Sequence, residues 1–336
     1  MRMELAEDQL VAAVARVLSG RAPGVLVGPG DDAAIVEPAR GSMLVTTDML
    51  LDGVHFDLGA IAPTDLGSKS IVVNVSDIAA MGGSPRYAVV SLGLPPTIEM
   101  PWVIELYGGM RAACDEYALS LVGGDTSRAE AVTIAVAVIG DVAPRSAVTR
   151  DGARPGDLIA VTGSLGGAAG GFLLSRLHPS RLGRALSEPW GRALLEALHR
   201  PVARVGEGQT LARAGATAMM DLSDGLAKDL SRLCAASGCG ARVRLDDVPV
   251  SAAVRAAGDV LGVDPLELAL SGGEDYELLA TLDATALDRA RDELRERFGV
   301  TLTEVGVIID EGLVAVDADG EHRLEPKGWD HFSDGG

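Results

Sequence analysis

Ammonium groups are almost missing from this chain: Lys69, Lys228 and Lys327 are its only lysines. Even with arginine included, 29 basic side chains face 48 acidic ones, a formal charge of −19 at pH 7. That balance argues against a nucleic-acid partner, because phosphate backbones are met by a basic footprint. It also repels nucleotides at long range, so any phosphate bound here needs a local reversal of sign, for which divalent cations are the natural source.

Cysteine is equally sparse. Cys114, Cys234 and Cys239 show no metal-type spacing, and an odd count in a long chain builds no disulfide framework, which fits a reducing cytoplasm. No run of about 18 apolar residues occurs, and the N-terminus opens on mixed charge, so a soluble, unexported protein without a membrane partner is expected. The Gly-x-x-x-x-Gly-Lys-Ser/Thr phosphate loop and the protein-kinase motif set are both missing. Phosphoryl transfer, if it occurs, must use another scaffold.

What is present reads as two α/β halves, in keeping with about 100–200 residues per domain. Apolar residues at helical spacing predict a helix over Leu5–Leu18. Strands are expected at Val25–Val27, Ala33–Val36 and Met43–Thr47, then a helix over Asp65–Met81. A strand at Tyr87–Leu94, a helix at Trp102–Tyr117 and strands at Leu119–Val122 and Val132–Ile139 complete the first half. Pro, Arg and Gly crowd the stretch from Asp141 to Asp157, placing the joint near residue 145 and the domains at 1–144 and 145–336. In the second half, strands are expected at Leu158–Val161, Ala216–Met220, Ala241–Leu245 and Tyr276–Thr281, with helices at Leu226–Ala236 and Ala284–Phe298.

Acidic residues repeatedly stand beside glycines or at the ends of apolar runs: Gly30-Asp31-Asp32, Thr46-Thr47-Asp48, Asn74-Val75-Ser76-Asp77, Gly123-Gly124-Asp125, Asp221-Leu222-Ser223-Asp224-Gly225 and Gly272-Gly273-Glu274-Asp275. Open α/β sheets place ligands beyond strand ends, and glycine lets a backbone approach them. Two carboxylates 4 Å apart repel by roughly 1 kcal/mol in water and about 4 at an effective dielectric of 20, so a shared acidic site calls for cations. Carboxylate and hydroxyl oxygens, the latter from Thr46, Thr47 and Ser223, suit Mg2+ rather than zinc. Taken singly, each Gly-Asp pair is also ordinary turn chemistry. Asp77 is different: it falls inside an apolar helical stretch and needs a partner there. The loop Gly163–Gly171, between a strand and a helix, fits either a phosphate cradle or close packing.

In order, GPGDDAAIV, TTDMLLDGVHF, KSIVVNVSDIAAMGG, LVGGDTS, VTRDGARPGD, MDLSDGL, SGGEDYEL and GWDHF resemble the thiamine-monophosphate kinase family over almost the whole chain. VNVSDIAAMG alone would indicate only the wider superfamily that includes aminoimidazole ribonucleotide synthetase; DGVHF, GGEDYEL and GWDHF narrow it. The resemblance implies ATP-dependent phosphorylation of thiamine monophosphate by direct transfer. It also implies an N-terminal mixed sheet with helices that pairs in a homodimer, and a C-terminal α/β sandwich that completes the nucleotide and substrate cleft. It assigns Asp32, Thr46, Thr47, Asp48, Asp77, Asp125, Asp221 and Asp224 to several Mg2+ ions, with Asp48, Asp125 and Asp224 catalytic. Tyr107, Gly124, Asp125, Arg150 and Ser223 would contact ATP, and His55, Glu274 and Trp329 the thiamine substrate. Without the resemblance, Tyr107 also reads as a half-buried helical tyrosine, His55 as a structural imidazole and Trp329 as a C-terminal anchor. Another ATP-using synthetase of the superfamily and a non-catalytic cation-binding protein remain the alternatives.

Overall fold

The computed structural model describes residues 41–329 without a break, together with residues 10, 13, 14, 16–18, 23–27 and 33–38. Leu10, Ala13, Val14, Arg16 and Val17 are helical and Leu18 is in a turn; the other residues of the expected first helix, Asp31, Asp32 and the end of GWDHF lie outside the described residues. The chain divides into two compact units between Arg145 and Ser146, with Ala79–Gly82 grouped with the second.

The first unit holds the short pair β1 (Val25–Val27) and β2 (Ile35–Val36), and then β3 (Ser42–Leu51), α1 (Pro63–Ala80), β4 (Ser84–Leu94), α2 (Met100–Glu116), β5 (Ser120–Arg128) and β6 (Thr133–Val142). Its four-stranded sheet runs β3-β6-β4-β5, antiparallel except for the parallel β4–β5 pair. Ile134, Val136 and Val138 of the central strand β6 alternate inward to buried positions, as do Val90 and Leu92 of β4. The opposite face is open: Met43, Val45 and Met49 of β3 and Val89 of β4 are all exposed.

Two strands run further than their apolar runs suggest. β3 continues to Leu51 and β5 to Arg128, so Thr46-Thr47-Asp48 and Gly123-Gly124-Asp125 lie inside paired strands rather than at strand ends. The reason is pairing: all ten residues of β3 have partners on β6, which holds polar residues extended regardless of their propensity.

The second unit contains β7 (Leu158–Thr162), α3 (Gly167–Ser175), α4 (Pro179–Ser187), α5 (Pro189–His199), α6 (Val205–Ala214), β8 (Ala218–Asp221), α7 (Leu226–Ser237) and β9 (Gly240–Arg244). After a 3-10 turn come α8 (Ala252–Leu261), α9 (Pro265–Ser271), β10 (Leu278–Leu282), α10 (Ala284–Phe298), β11 (Leu302–Ile309), β12 (Leu313–Asp317) and β13 (Gly320–Arg323). The sheet order is β13-β12-β9-β11-β7-β10-β8, and only β12–β9 is parallel.

Alternation along β7 sends Ile159 and Val161 into one apolar layer and Ala160 into another, so both faces of the sheet are covered. The first layer includes Leu174, Leu194, Leu230 and Val254 from α3, α5, α7 and α8. The second includes Leu211 of α6 and Leu287, Ala290 and Leu294 of α10. This is an α/β sandwich. The expected strand at Tyr276–Thr281 begins two residues later, at Leu278, because Tyr276 takes a left-handed backbone (φ 51°).

Candidate active site

In the first unit the acids meet where β3 faces α1. Thr46 and Asp48, two residues apart, share the strand face turned to the helix. The Thr46 hydroxyl donates to Asp77 Oδ2 at 2.5 Å, which is the partner a helix-interior Asp requires. Asn74, a turn earlier, accepts the Asp48 backbone N–H on Oδ1 at 2.9 Å and anchors its own amide on the Ser70 carbonyl at 3.1 Å. Loss of hydration and then repulsion from Asp77 push the Asp48 carboxyl up to about 6.

Strand alternation turns Thr47 to the other face, where its hydroxyl donates to the Val136 carbonyl at 2.9 Å. Asp125 is the register partner of Ser91 on β5 and is exposed. Gly124 has a packing reason of its own, since a Cβ there would lie 2.1 Å from the Val90 carbonyl oxygen. Tyr107 is a core residue of α2, 4% exposed, with its hydroxyl bonded to the Thr126 side chain, and burial raises its pKa. His55 follows β3 in a turn; its Nδ1 accepts the Leu51 N–H at 3.1 Å, which leaves the neutral ring its proton on Nε2.

In the second unit, three segments distant in sequence meet, one of them the turn after β8. Asp221 ends β8 and is buried. Ser223, Asp224 and Gly225 form the turn, and all three of their N–H groups donate to Asp229 Oδ2, at 3.1, 2.9 and 3.2 Å. Asp229 is fully buried in the first turn of α7, and Arg232 donates to its other oxygen at 2.8 Å. Burial still moves its pKa upward. The Asp224 carboxylate pairs with Arg232 at 2.6 Å and sits 3.6 Å from the Lys228 ammonium.

The other two segments dock on this turn through backbone bonds. The Glu274 N–H donates to the Ser223 carbonyl at 2.8 Å, and the Trp329 N–H to the Asp224 carbonyl at 3.0 Å, while Lys228 Nζ donates to the Trp329 carbonyl. Ser223, Asp224, Glu274 and Trp329, spread over more than a hundred positions, are thereby gathered. Arg150 lies apart on an exposed turn, its carbonyl accepting from the Ser237 hydroxyl at 2.8 Å.

The Gly163–Gly171 loop is closely packed against the GGEDYEL segment. The place a phosphate would take at the start of α3 is filled by Asp275, whose carboxylate accepts the N–H groups of Gly166 at 2.7 Å and Ala168 at 3.3 Å. Desolvation raises Asp275 to about 7 against the pull of those bonds. Gly163 (φ 60°) cannot carry a side chain, because a Cβ would lie 2.0 Å from Glu277 Oε1. Glu277 is itself gripped by Arg204 at 2.6 and 2.8 Å and by the Thr162 hydroxyl at 2.6 Å. Glu274 (φ 67°) and Tyr276 (φ 51°) are left-handed without being glycine, a conformation that costs about 1–3 kcal/mol per residue and clusters at ligand sites.

Asp229 lies outside the acidic motifs of the sequence, and Asp275 stands in the last of them without a role of its own. Among the described residues no three His, Cys, Asp or Glu side chains are grouped as a metal cage.

Residues 30–142 match the family model of the AIR synthase related protein, N-terminal domain, and residues 154–319 that of the C-terminal domain. A thiamine-monophosphate kinase of Aquifex aeolicus (strain VF5) is 36% identical over 331 residues, covering 98% of this chain and 99% of that protein. The chain belongs to the thiamine-monophosphate kinase family. Among solved members, the thiamine-monophosphate kinase of Stenotrophomonas maltophilia K279a superposes with a TM-score of 0.79 at 35% identity, covering 96% of this chain and 99% of that one. The structure described as AaThiL complexed with AMPPCP and TMP gives a TM-score of 0.75 at 36% identity, with 99% of each chain covered.

Proposed function

We propose that the protein transfers the γ-phosphate of ATP to thiamine monophosphate, releasing ADP and thiamine diphosphate. The observation that carries this reading is the gathering of Glu274 and Trp329 on the Ser223-Asp224 turn: an indole face and a carboxylate suit a thiazolium cation, and the turn supplies a hydroxyl. The family relatives named thiamine-monophosphate kinase, and the member complexed with AMPPCP and TMP, support it.

An oxygen of the acceptor phosphate, already anionic near neutral pH, forms the new bond to Pγ as the bond from Pγ to the β-phosphate oxygen breaks. No general base is needed, which agrees with a chain of five histidines. The residues position reactants: Glu274 and Trp329 orient the thiazolium, Ser223 and Arg150 the nucleotide, and His55 presents Nε2–H to the substrate.

The donor set of Thr46, Asp48 and Asp77 fits Mg2+, because that ion is commonly held by one or two carboxylates together with phosphate oxygens and water rather than by a protein cage. Bound there, it would neutralise phosphate charge, and Asp32, Thr47, Asp125, Asp221 and Asp224 are the proposed ligands of further Mg2+ ions. The 1–144 domain is proposed as the metal, ATP and dimerisation domain, and 145–336 as the domain that supplies Ser223, Glu274 and Trp329.

The open sheet face supports a homodimer. Val45 is 66% exposed and Met43 62%, in a row continued by Met49 and Val89, and such patches mark interfaces. Val45→Asp is expected to weaken self-association about 100-fold or more by burying an unpaired charge. Sedimentation equilibrium reads the mass; an unchanged dimer would place the interface elsewhere. Among the described residues no helix is long and apolar enough to cross a membrane. The cytoplasm, where both substrates would be made, is the proposed location.

Protons compete with the cation at Asp48. Because its carboxyl titrates near 6, it is about one tenth ionised at pH 5 and half ionised at pH 6, so apparent cation affinity approaches its full value about one unit above 6 and falls roughly tenfold per unit well below it. Asp77→Asn removes the repulsion and moves that limb to lower pH. Manganese titrations followed by electron paramagnetic resonance from pH 5 to 8 would show it; an unmoved limb in the variant would refute the coupling.

The activity itself is tested by incubating the protein with ATP, Mg2+ and thiamine monophosphate and measuring ADP and thiamine diphosphate. Equal amounts are expected. ADP alone would point to another acceptor and a synthetase of the same superfamily; neither product would leave a cation-binding protein.

A further inference from the structure

The geometry points to Asp275 as a positioning residue that holds Glu274 in place for the acceptor substrate. This rests on the proposed reading of Glu274 as a thiazolium contact. The Asp275 carboxylate accepts from Gly166 and Ala168 at the N-terminus of α3, an element fixed in the core through Leu174. On either side of it stand Glu274 and Tyr276, both in left-handed backbone that non-glycine residues rarely adopt.

Such a pair of unfavourable conformations persists only where surrounding bonds over-determine it. Three anchors do so here. The Glu274 N–H is tied to the Ser223 carbonyl and the Tyr276 N–H to the Leu222 carbonyl at 2.9 Å, while Asp275 between them is tied to α3. The first two anchors join the loop to the Ser223-Asp224 turn, and the third to a separate element. With Asp275 released, the peptides on both sides can relax toward ordinary φ values, and the Glu274 side chain then loses the direction its backbone imposes. The glycine-rich loop therefore serves the reaction at one remove: its amides hold a protein carboxylate, and that carboxylate sets a neighbouring side chain.

A double-mutant cycle tests this. Asp275→Asn keeps the shape but offers one of the two backbone donors an amide N–H2, and it is expected to raise KM for thiamine monophosphate about tenfold with KM for ATP within about twofold. Glu274→Gln is expected to do the same, and the double variant to be no worse than Glu274→Gln alone, because both act through one contact. Additive penalties, or equal rises in both KM values, would overturn the assignment in favour of a merely structural Asp275. Should Asp275→Asn fail to fold, amide hydrogen exchange on the unaltered protein decides. The Gly166 and Ala168 amides are expected to exchange slowly, and thiamine monophosphate to slow them further along with the Glu274 amide; free exchange, or no response to the substrate, would overturn it. Failure of the function itself looks different: no thiamine diphosphate forms in the unaltered protein. The positioning claim then stands or falls on whether Asp275→Asn speeds exchange at the Glu274 amide.

Discussion

Replacing Asp48 by Asn is expected to lower turnover by about 10²–10³-fold while leaving the fold intact, the scale of losing one preorganised electrostatic element. The side chain carries none of the packing: it is exposed on β3, and its contribution to local structure is a backbone N–H given to Asn74, which the substitution preserves. What is lost is one of two neighbouring negative charges; loss of hydration and then the repulsion from Asp77 already raise Asp48 to about 6. Without a cation the substitution relieves that repulsion, so the thermal midpoint should hold or rise slightly. Turnover at saturating Mg2+ and the melting curve together check the prediction; near-normal turnover would remove Asp48 from the metal site. Asp125→Asn should lose a similar factor, and as Asp125 lies on a different strand the pair tests whether both act on one bound cation.

The largest effect on stability is expected at Asp229. Asp229→Ala removes the acceptor of three backbone N–H groups and strips Arg232 of one of its two carboxylates, in a fully buried position. Breaking a buried charged network from one side typically costs about 3–5 kcal/mol, a large share of the roughly 5–15 kcal/mol that holds a domain together. Denaturant unfolding of the variant measures it, and a loss under about 1 kcal/mol would mean that water replaces the carboxylate. Asp229→Asn keeps one acceptor oxygen and should fold, yet leave the Ser223-Asp224 turn poorly ordered and ATP binding weakened.

The helices around Asn74 and Tyr107 were legible as long stretches rich in apolar residues, although the one carrying Tyr107 is weakly patterned. The strand carrying Asp48 was cut short because Thr46-Thr47-Asp48 reads as polar, and only its pairing with β6 keeps it extended. Helices α4, α5, α6, α8 and α9 were not anticipated; α9 is seven residues long, and α4 and α5 follow each other almost without a linker, which blurs any period. The site was visible as a set of acidic motifs, but their roles were not separable. Asp229 shows one available signal, an acid in the first turn of a helix that follows a Ser-Asp-Gly turn. Asp275 is visible only as the end of a glycine-flanked acidic motif, and its role is not, because its partners lie more than a hundred residues upstream. The loop at Gly163 left two readings open for the same reason: what fills a helix N-terminus comes from elsewhere in the chain.

The two faces of β3 carry different burdens: Thr46 and Asp48 meet α1, while Met43, Val45 and Met49 form the exposed row. A side-chain period of two means that inserting or deleting one residue in this strand exchanges the two sets together. Drift in this segment should therefore proceed by substitution alone, with length held fixed across relatives, even where neighbouring loops gain or lose residues freely.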